Sequence, residues 1–120
     1  RDSYRADSGI LAMLVLMRVM SDDGRPLSEL RTRYEPYAQS GEVNIAVADA
    51  HAAIDLVGAA YRDAPSDRVD GLTVELPDGA WFNLRPSNTE PLLRLNVEAA
   101  APDRVEALVA EVRSLIEGAR

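Results

Sequence analysis

Hydrophobic positions in this chain run first as an unbroken block, then with a period near 3.6, then with a period of two, and finally near 3.6 again. The block is Ile10-Leu11-Ala12-Met13-Leu14-Val15-Leu16-Met17. Its spacing predicts a helix over residues 8–20. Asp7 or Ser8 can cap the first free amides, and Asp22-Asp23-Gly24 stops the helix, with glycine suited to the left-handed position. A soluble helix that is apolar on every side is buried all round. This one therefore expects neighbours on several faces, more than 120 residues readily supply.

Pro26 fits the start of a short second helix ending near Thr32, because its missing N–H is no loss there. Tyr34 to Asn44 reads as an extended segment leading into a strand, with the domain boundary inside it. Asp49 can cap a helix through about Arg62, on which Ile54, Val57, Gly58 and Tyr61 form one stripe. Ala64-Pro65-Ser66-Asp67 ends that helix. Three strands follow. Leu72, Val74 and Leu76 alternate with polar residues; so do Phe82 and Leu84, and so do Leu93, Leu95 and Val97. Pro77-Asp78-Gly79 marks a hairpin turn between the first two. Val105, Leu108, Val109, Val112, Leu115 and Ile116 make the clearest helical stripe, over residues 102–117. Strands apolar on one face only suit an antiparallel sheet covered on one side. The expected fold is α+β: an antiparallel four-stranded sheet with two helices on one face over residues 35–120, preceded by a helical remnant of another domain over residues 1–34.

Composition narrows the chemistry. The chain has no cysteine, which excludes disulfides, thiolate metal sites and cysteine nucleophiles; a cytoplasmic setting fits. Its longest apolar stretch is too short to span a bilayer, so no membrane partner is expected. The net charge is −7, and all 13 basic residues are arginines. A broad basic field for nucleic acid is therefore missing. A small anion can still bind such a protein, but only through a local group of donors.

Arg85-Pro86-Ser87-Asn88-Thr89-Glu90-Pro91 is such a group, lying between two strands. Residues 85–94 carry a net charge of +1. A guanidinium presents a planar fork to two phosphate oxygens, hydroxyls donate to the others, and amides of a curved loop form an anion nest. The two prolines reduce the freedom lost on ordering the loop. The same residues also suit a plain hairpin loop, with the arginine paired to Glu90 and the polar side chains bonded to their own backbone.

This segment resembles the phosphate-binding loop in the last domain of the α-D-phosphohexomutases. The flanks resemble that domain too: Asp70-Gly71-Leu72, Asp78-Gly79-Ala80-Trp81-Phe82, and Leu93-Arg94-Leu95-Asn96-Val97-Glu98-Ala99. Ala6-Asp7-Ser8-Gly9 resembles a helix start late in the family's third domain, and Ser40-Gly41-Glu42-Val43-Asn44 the passage into the fourth. Asn88 leans toward the phosphomannomutase/phosphoglucomutase branch. The resemblance implies a TATA-box-binding-protein-like C-terminal domain that packs against N-terminal domains of the same enzyme. It implies that Arg85, Ser87, Asn88 and Thr89 hold the non-reacting phosphate of a phosphorylated hexose. A phosphoserine, Mg²⁺ and the sugar-selecting residues belong to the full-length enzyme and would precede Arg1, so this chain alone is expected to be inactive. A stand-alone domain that binds a phosphorylated metabolite, or an interaction domain without catalysis, is the alternative.

Other residues read as structural. Ser8 suits a helix cap better than a nucleophile. His51, the only histidine, suits a solvated helix turn. The acidic pairs Asp22-Asp23 and Asp67 with Asp70 suit solvated turns. Trp81 shares a strand face with Arg85 and suits packing more than a sugar-binding wall.

Overall fold

The computed structural model describes residues 8–118 and divides into two compact units that part after Pro36. In the first unit, α1 (Gly9–Asp23) starts where the Ser8 hydroxyl accepts the Leu11 N–H at 3.3 Å. It stops at Gly24, whose φ of 78° is left-handed. The other candidate cap, Asp7, lies outside the described residues. A short α2 (Leu27–Arg31) follows and buries Leu30. No residue of α1 is buried, and Ile10 is 72% exposed. The all-round burial expected of this helix is thus not met among the described residues, where none of its side chains is buried.

The second unit holds β1 (Ala38–Gln39), β2 (Val43–Ala46), α3 (Ala50–Ala60), β3 (Ser66–Asp67), β4 (Leu72–Glu75), β5 (Trp81–Pro86), β6 (Leu92–Ala99) and α4 (Pro102–Glu117). The strand order is β1-β6-β5-β4-β3, β2 also pairs with β6, and every pairing is antiparallel. The sheet has six strands, not the four expected, because two-residue strands are too short to show a period in sequence. One of them, β3, falls where the sequence pattern ends a helix; it adds an edge to β4. The other, β1, lies on the same edge of β6 as β2, facing Glu98 and Ala99, while β2 faces residues 92–95. Between them Ser40 binds Val97 twice: its N–H donates to the Val97 carbonyl at 2.9 Å, and its hydroxyl accepts the Val97 N–H at 2.9 Å. Gly41, with φ 63°, turns the chain there. β1 and β2 therefore continue one another along this edge, broken by a bend at residues 40–42.

Alternation sorts the sheet into two faces. Val74, Phe82, Leu84, Leu93 and Leu95 are fully buried on one of them. There they meet Ile54 and Val57 of α3, and Leu108 and Val112 of α4. Asp49 caps α3 by accepting the N–H groups of His51 and Ala52, each at 3.0 Å. The Tyr61 ring meets Phe82 edge-on at 5.0 Å, and its hydroxyl donates to Glu111 at 2.6 Å, tying α3 to α4. Gly79, at φ 82°, turns β4 into β5 as the Asp-Gly pair predicts, and the Asp78 carboxylate accepts from Arg104 at 2.7 Å. With both helices under one face, the other face of the sheet is left polar.

Candidate functional site

Strand register lays that polar face out in rows. Thr73, Asn83 and Asn96 share one row, and Glu75, Trp81 and Glu98 share another. At the end nearest the β5–β6 loop, Arg85 faces Arg94, and Arg94 faces Asn44 across β2. Like charges directly opposite each other repel. Two guanidiniums so placed favour an acceptor lying beside them.

The loop over residues 87–91 closes tightly. The Ser87 N–H donates to the Leu92 carbonyl at 2.9 Å, and the Leu92 N–H donates to the Glu90 carbonyl at 2.8 Å. The Ser87 hydroxyl stands at its centre. It lies 3.5 Å from the Thr89 hydroxyl, accepts the Thr89 N–H at 3.4 Å, and accepts from Arg94 Nη2 at 3.5 Å. Asn88 is exposed, and its side chain has no hydrogen-bond partner among the described residues. The structure thus gathers Ser87, Thr89 and Arg94 into one cluster with Arg85 across from Arg94. Arg85 and Arg94 keep 37% and 31% of their side-chain surface exposed, so a solute can reach them.

Arg85 is not paired with Glu90, the partner a plain hairpin loop would give it. Its Nη2 lies 3.6 Å from Glu42 and its Nη1 3.9 Å from Asp70. Glu42 also approaches Arg94 Nε at 3.6 Å, one carboxylate oxygen to each arginine. Arg94 Nε is buried and makes no hydrogen bond among the described residues. The Asp70-Gly71 turn flanks Arg85. Asn83 Nδ2 donates to the Asp70 carbonyl at 2.8 Å and to the Thr73 hydroxyl at 3.1 Å. Gly71 has φ 79°, and a Cβ there would stand 2.8 Å from Arg85 Cα and 2.7 Å from its Cβ. Glycine therefore lets this turn lie against the arginine stem.

Arg94 and Glu42 escaped the sequence reading. The signal for Arg94 was present, since it alternates with buried Leu93 and Leu95 and must share the face of Arg85. Glu42 had no such signal, because its place depends on the bend in the edge strand. Trp81 is half-buried on the polar face, with Nε1 donating to Glu98 at 3.4 Å. An apolar hollow of about 350 Å³, lined by Val47, Asp49, Ala52, Leu56 and Ile116 among others, lies on the helix side. It lacks the converging donors that a phosphate needs.

Residues 42–115 match the family model described as the phosphoglucomutase/phosphomannomutase C-terminal domain. The chain belongs to this family. It is similar to a phosphomannomutase of Methanocaldococcus jannaschii, 36% identical over 92% of this chain and 24% of that protein. A protein of Xanthomonas campestris pv. campestris (strain B100) named for phosphohexose mutases is 42% identical over 98% of the chain and 27% of its own length. A phosphomannomutase of Salmonella typhimurium (strain LT2) is 38% identical over 97% and 25%. The chain spans about a quarter of the length of these relatives. As a member of the phosphoglucomutase/phosphomannomutase family it has the antiparallel sheet with helices that its sequence pattern predicts. No described helix is long and apolar enough to cross a membrane. Among the described residues no group of three or more His, Cys, Asp or Glu side chains could hold a metal ion. The described residues therefore offer Mg²⁺ no such group of ligands.

Proposed function

We propose that this chain is the phosphate-gripping C-terminal part of a phosphohexomutase of the phosphomannomutase/phosphoglucomutase type, which interconverts hexose 1-phosphates and 6-phosphates. Arg85, Ser87, Asn88 and Thr89, joined by Arg94, hold the phosphate that is not reacting. The observation that carries this reading is the convergence at Ser87. Its hydroxyl lies 3.5 Å from both the Thr89 hydroxyl and Arg94 Nη2, beside a pair of facing arginines. Each group supplies a separate element of recognition. The arginines give charge and planar forks, and the hydroxyls and the Asn88 amide give donors to the remaining oxygens. The grip spends binding energy remote from the reacting bond to orient the other end of the sugar. Releasing and retaking it lets a bisphosphate intermediate turn over, which suits a domain that opens and closes.

The rest of the enzyme supplies the phosphoryl chemistry, its Mg²⁺ and the choice of sugar. On this reading residues 1–34 are the last helices of the third domain and residues 35–120 form the fourth. The parting of the two units after Pro36 and the exposed apolar side chains of α1 support it. The N-terminal domains would cover that helix. A cytoplasmic setting accords with a chain free of cysteine.

Kinetics of the full-length enzyme test the reading. Arg85→Ala should lower kcat/KM by about 10²–10³-fold, the usual cost of one well-placed donor to a developing or bound anion. Arg85→Lys should fall between, keeping charge but losing the fork. The 120-residue chain alone should show no turnover. Unchanged kcat/KM in Arg85→Ala would remove the loop from the mechanism.

A further inference from the structure

The arginine pair already has an anion beside it. Glu42 sends one carboxylate oxygen to Arg85 Nη2 and the other to Arg94 Nε, both at 3.6 Å. These separations give Coulomb attraction without a close hydrogen bond. The carboxylate therefore offsets the repulsion between the guanidiniums without a close hydrogen bond to either; Arg94 Nε is itself buried, so another acceptor is met by the remaining N–H groups of the pair. Its position is built into the fold. Ser40 fastens the chain to Val97 on one side of the bend, Val43 pairs with Leu95 on the other, and Gly41 at φ 63° provides the turn between them. Asp70, at 3.9 Å from Arg85 and 80% exposed, is a weaker second carboxylate.

We propose that Glu42 is a resident counterion that sets how tightly this site holds phosphate. It keeps Arg85 and Arg94 together when no phosphate is bound, and it competes with the dianion for them, so that release stays fast. This rests on the reading of the loop as a phosphate grip. A domain that must release and retake one end of a bisphosphate is better served by moderate affinity than by the tightest achievable. At a separation of about 6 Å in a solvent-like dielectric, each charge of the dianion is repelled by Glu42 enough for about a threefold weakening, or about tenfold for two.

Calorimetric titration of the 120-residue chain with inorganic phosphate, at low and at physiological salt, tests this. Glu42→Gln should bind about tenfold more tightly than wild type and lose affinity more steeply as salt rises, because two guanidiniums are then left uncompensated. Glu42→Asp keeps the charge and should stay within about threefold of wild type. A residue that merely supported the loop would weaken binding when replaced. Glu42→Ala, which should also bind more tightly, repeats the test without an amide. Arg85→Ala separates the two readings. If Arg85→Ala loses phosphate while neither Glu42→Gln nor Glu42→Ala gains affinity, the counterion role is wrong and the grip stands. If Arg85→Ala binds as wild type does, or wild type binds no phosphate at tens of millimolar, both fall.

Discussion

Gly71→Ala puts a methyl group where the polypeptide leaves no room. The new Cβ would collide with the Leu84 carbonyl and stand 2.8 Å from Arg85 Cα and 2.7 Å from Arg85 Cβ. These are backbone and stem atoms, which cannot swing away as the tip of a flexible side chain can. A left-handed conformation costs an alanine about 1–2 kcal/mol, and overpacking adds about 1–3 kcal/mol. The sum is about 2–5 kcal/mol, which lowers Tm by at least roughly 8 °C for a unit of this size. Gly79→Ala is the matched control. Its φ of 82° is nearly the same, but nothing lies within 4 Å of the added Cβ, so only the conformational cost of about 1–2 kcal/mol applies. Thermal unfolding followed by circular dichroism measures both. Phosphate titration of the same variants then reads the site: Gly71→Ala should bind more weakly because Arg85 is displaced, and Gly79→Ala should bind as wild type does. Equal losses of Tm in the two variants, or wild-type phosphate affinity in Gly71→Ala, would refute the idea that this turn positions Arg85.

Two further predictions concern stability against pH. The Arg104 hydrogen bond holds the Asp78 carboxyl below its ordinary value, helped by the Ala80 N–H. The folded state therefore binds this proton less readily than the unfolded chain. Its contribution is whole above an ordinary carboxylate pKa of about 4 and is lost as pH falls through the depressed folded value. Asp78→Asn should flatten the acid side of a Tm-against-pH curve; an unchanged acid slope would contradict the pairing. Burial, and then the bond to Glu111, raise the Tyr61 hydroxyl well above its ordinary pKa. The unfolded chain then gives up that proton first, so stability should begin to fall as pH rises through about 10. Tyr61→Phe should remove that slope and cost about 1 kcal/mol at neutral pH, and calorimetry between pH 8 and 11 would detect both.

Where periodicity is long enough to count, the fold was legible in the sequence. Alternation over Leu72–Leu76, Trp81–Arg85 and Leu93–Val97 placed the three long strands and assigned their faces. The stripe from Val105 to Ile116 placed the last helix. β1 and β3 were hidden, because two residues carry no period and their pairing depends on distant backbone. The loop chemistry of Arg85, Ser87, Asn88 and Thr89 was visible in residue type and order. What sequence did not show is the company those residues keep. Arg94 joins them through strand register, and Glu42 through a bend fixed by the Ser40 hydroxyl and Gly41. The Asp70-Gly71 turn is visible in sequence as part of the family likeness, but its closeness to the Arg85 stem depends on the pairing of distant strands. The first helix presents the opposite situation. Its apolar block correctly announced a helix, but a demand for burial says nothing of where the covering surface resides.

The most direct measurement is a phosphate titration of the isotopically labelled chain, followed by nuclear magnetic resonance. The account predicts saturable shifts at the amides of Ser87, Asn88 and Thr89 and at the side-chain Nε–H signals of Arg85 and Arg94, while α3 and α4 stay unmoved. Shifts absent at tens of millimolar, or scattered among other surface arginines such as Arg62 and Arg113, would contradict it.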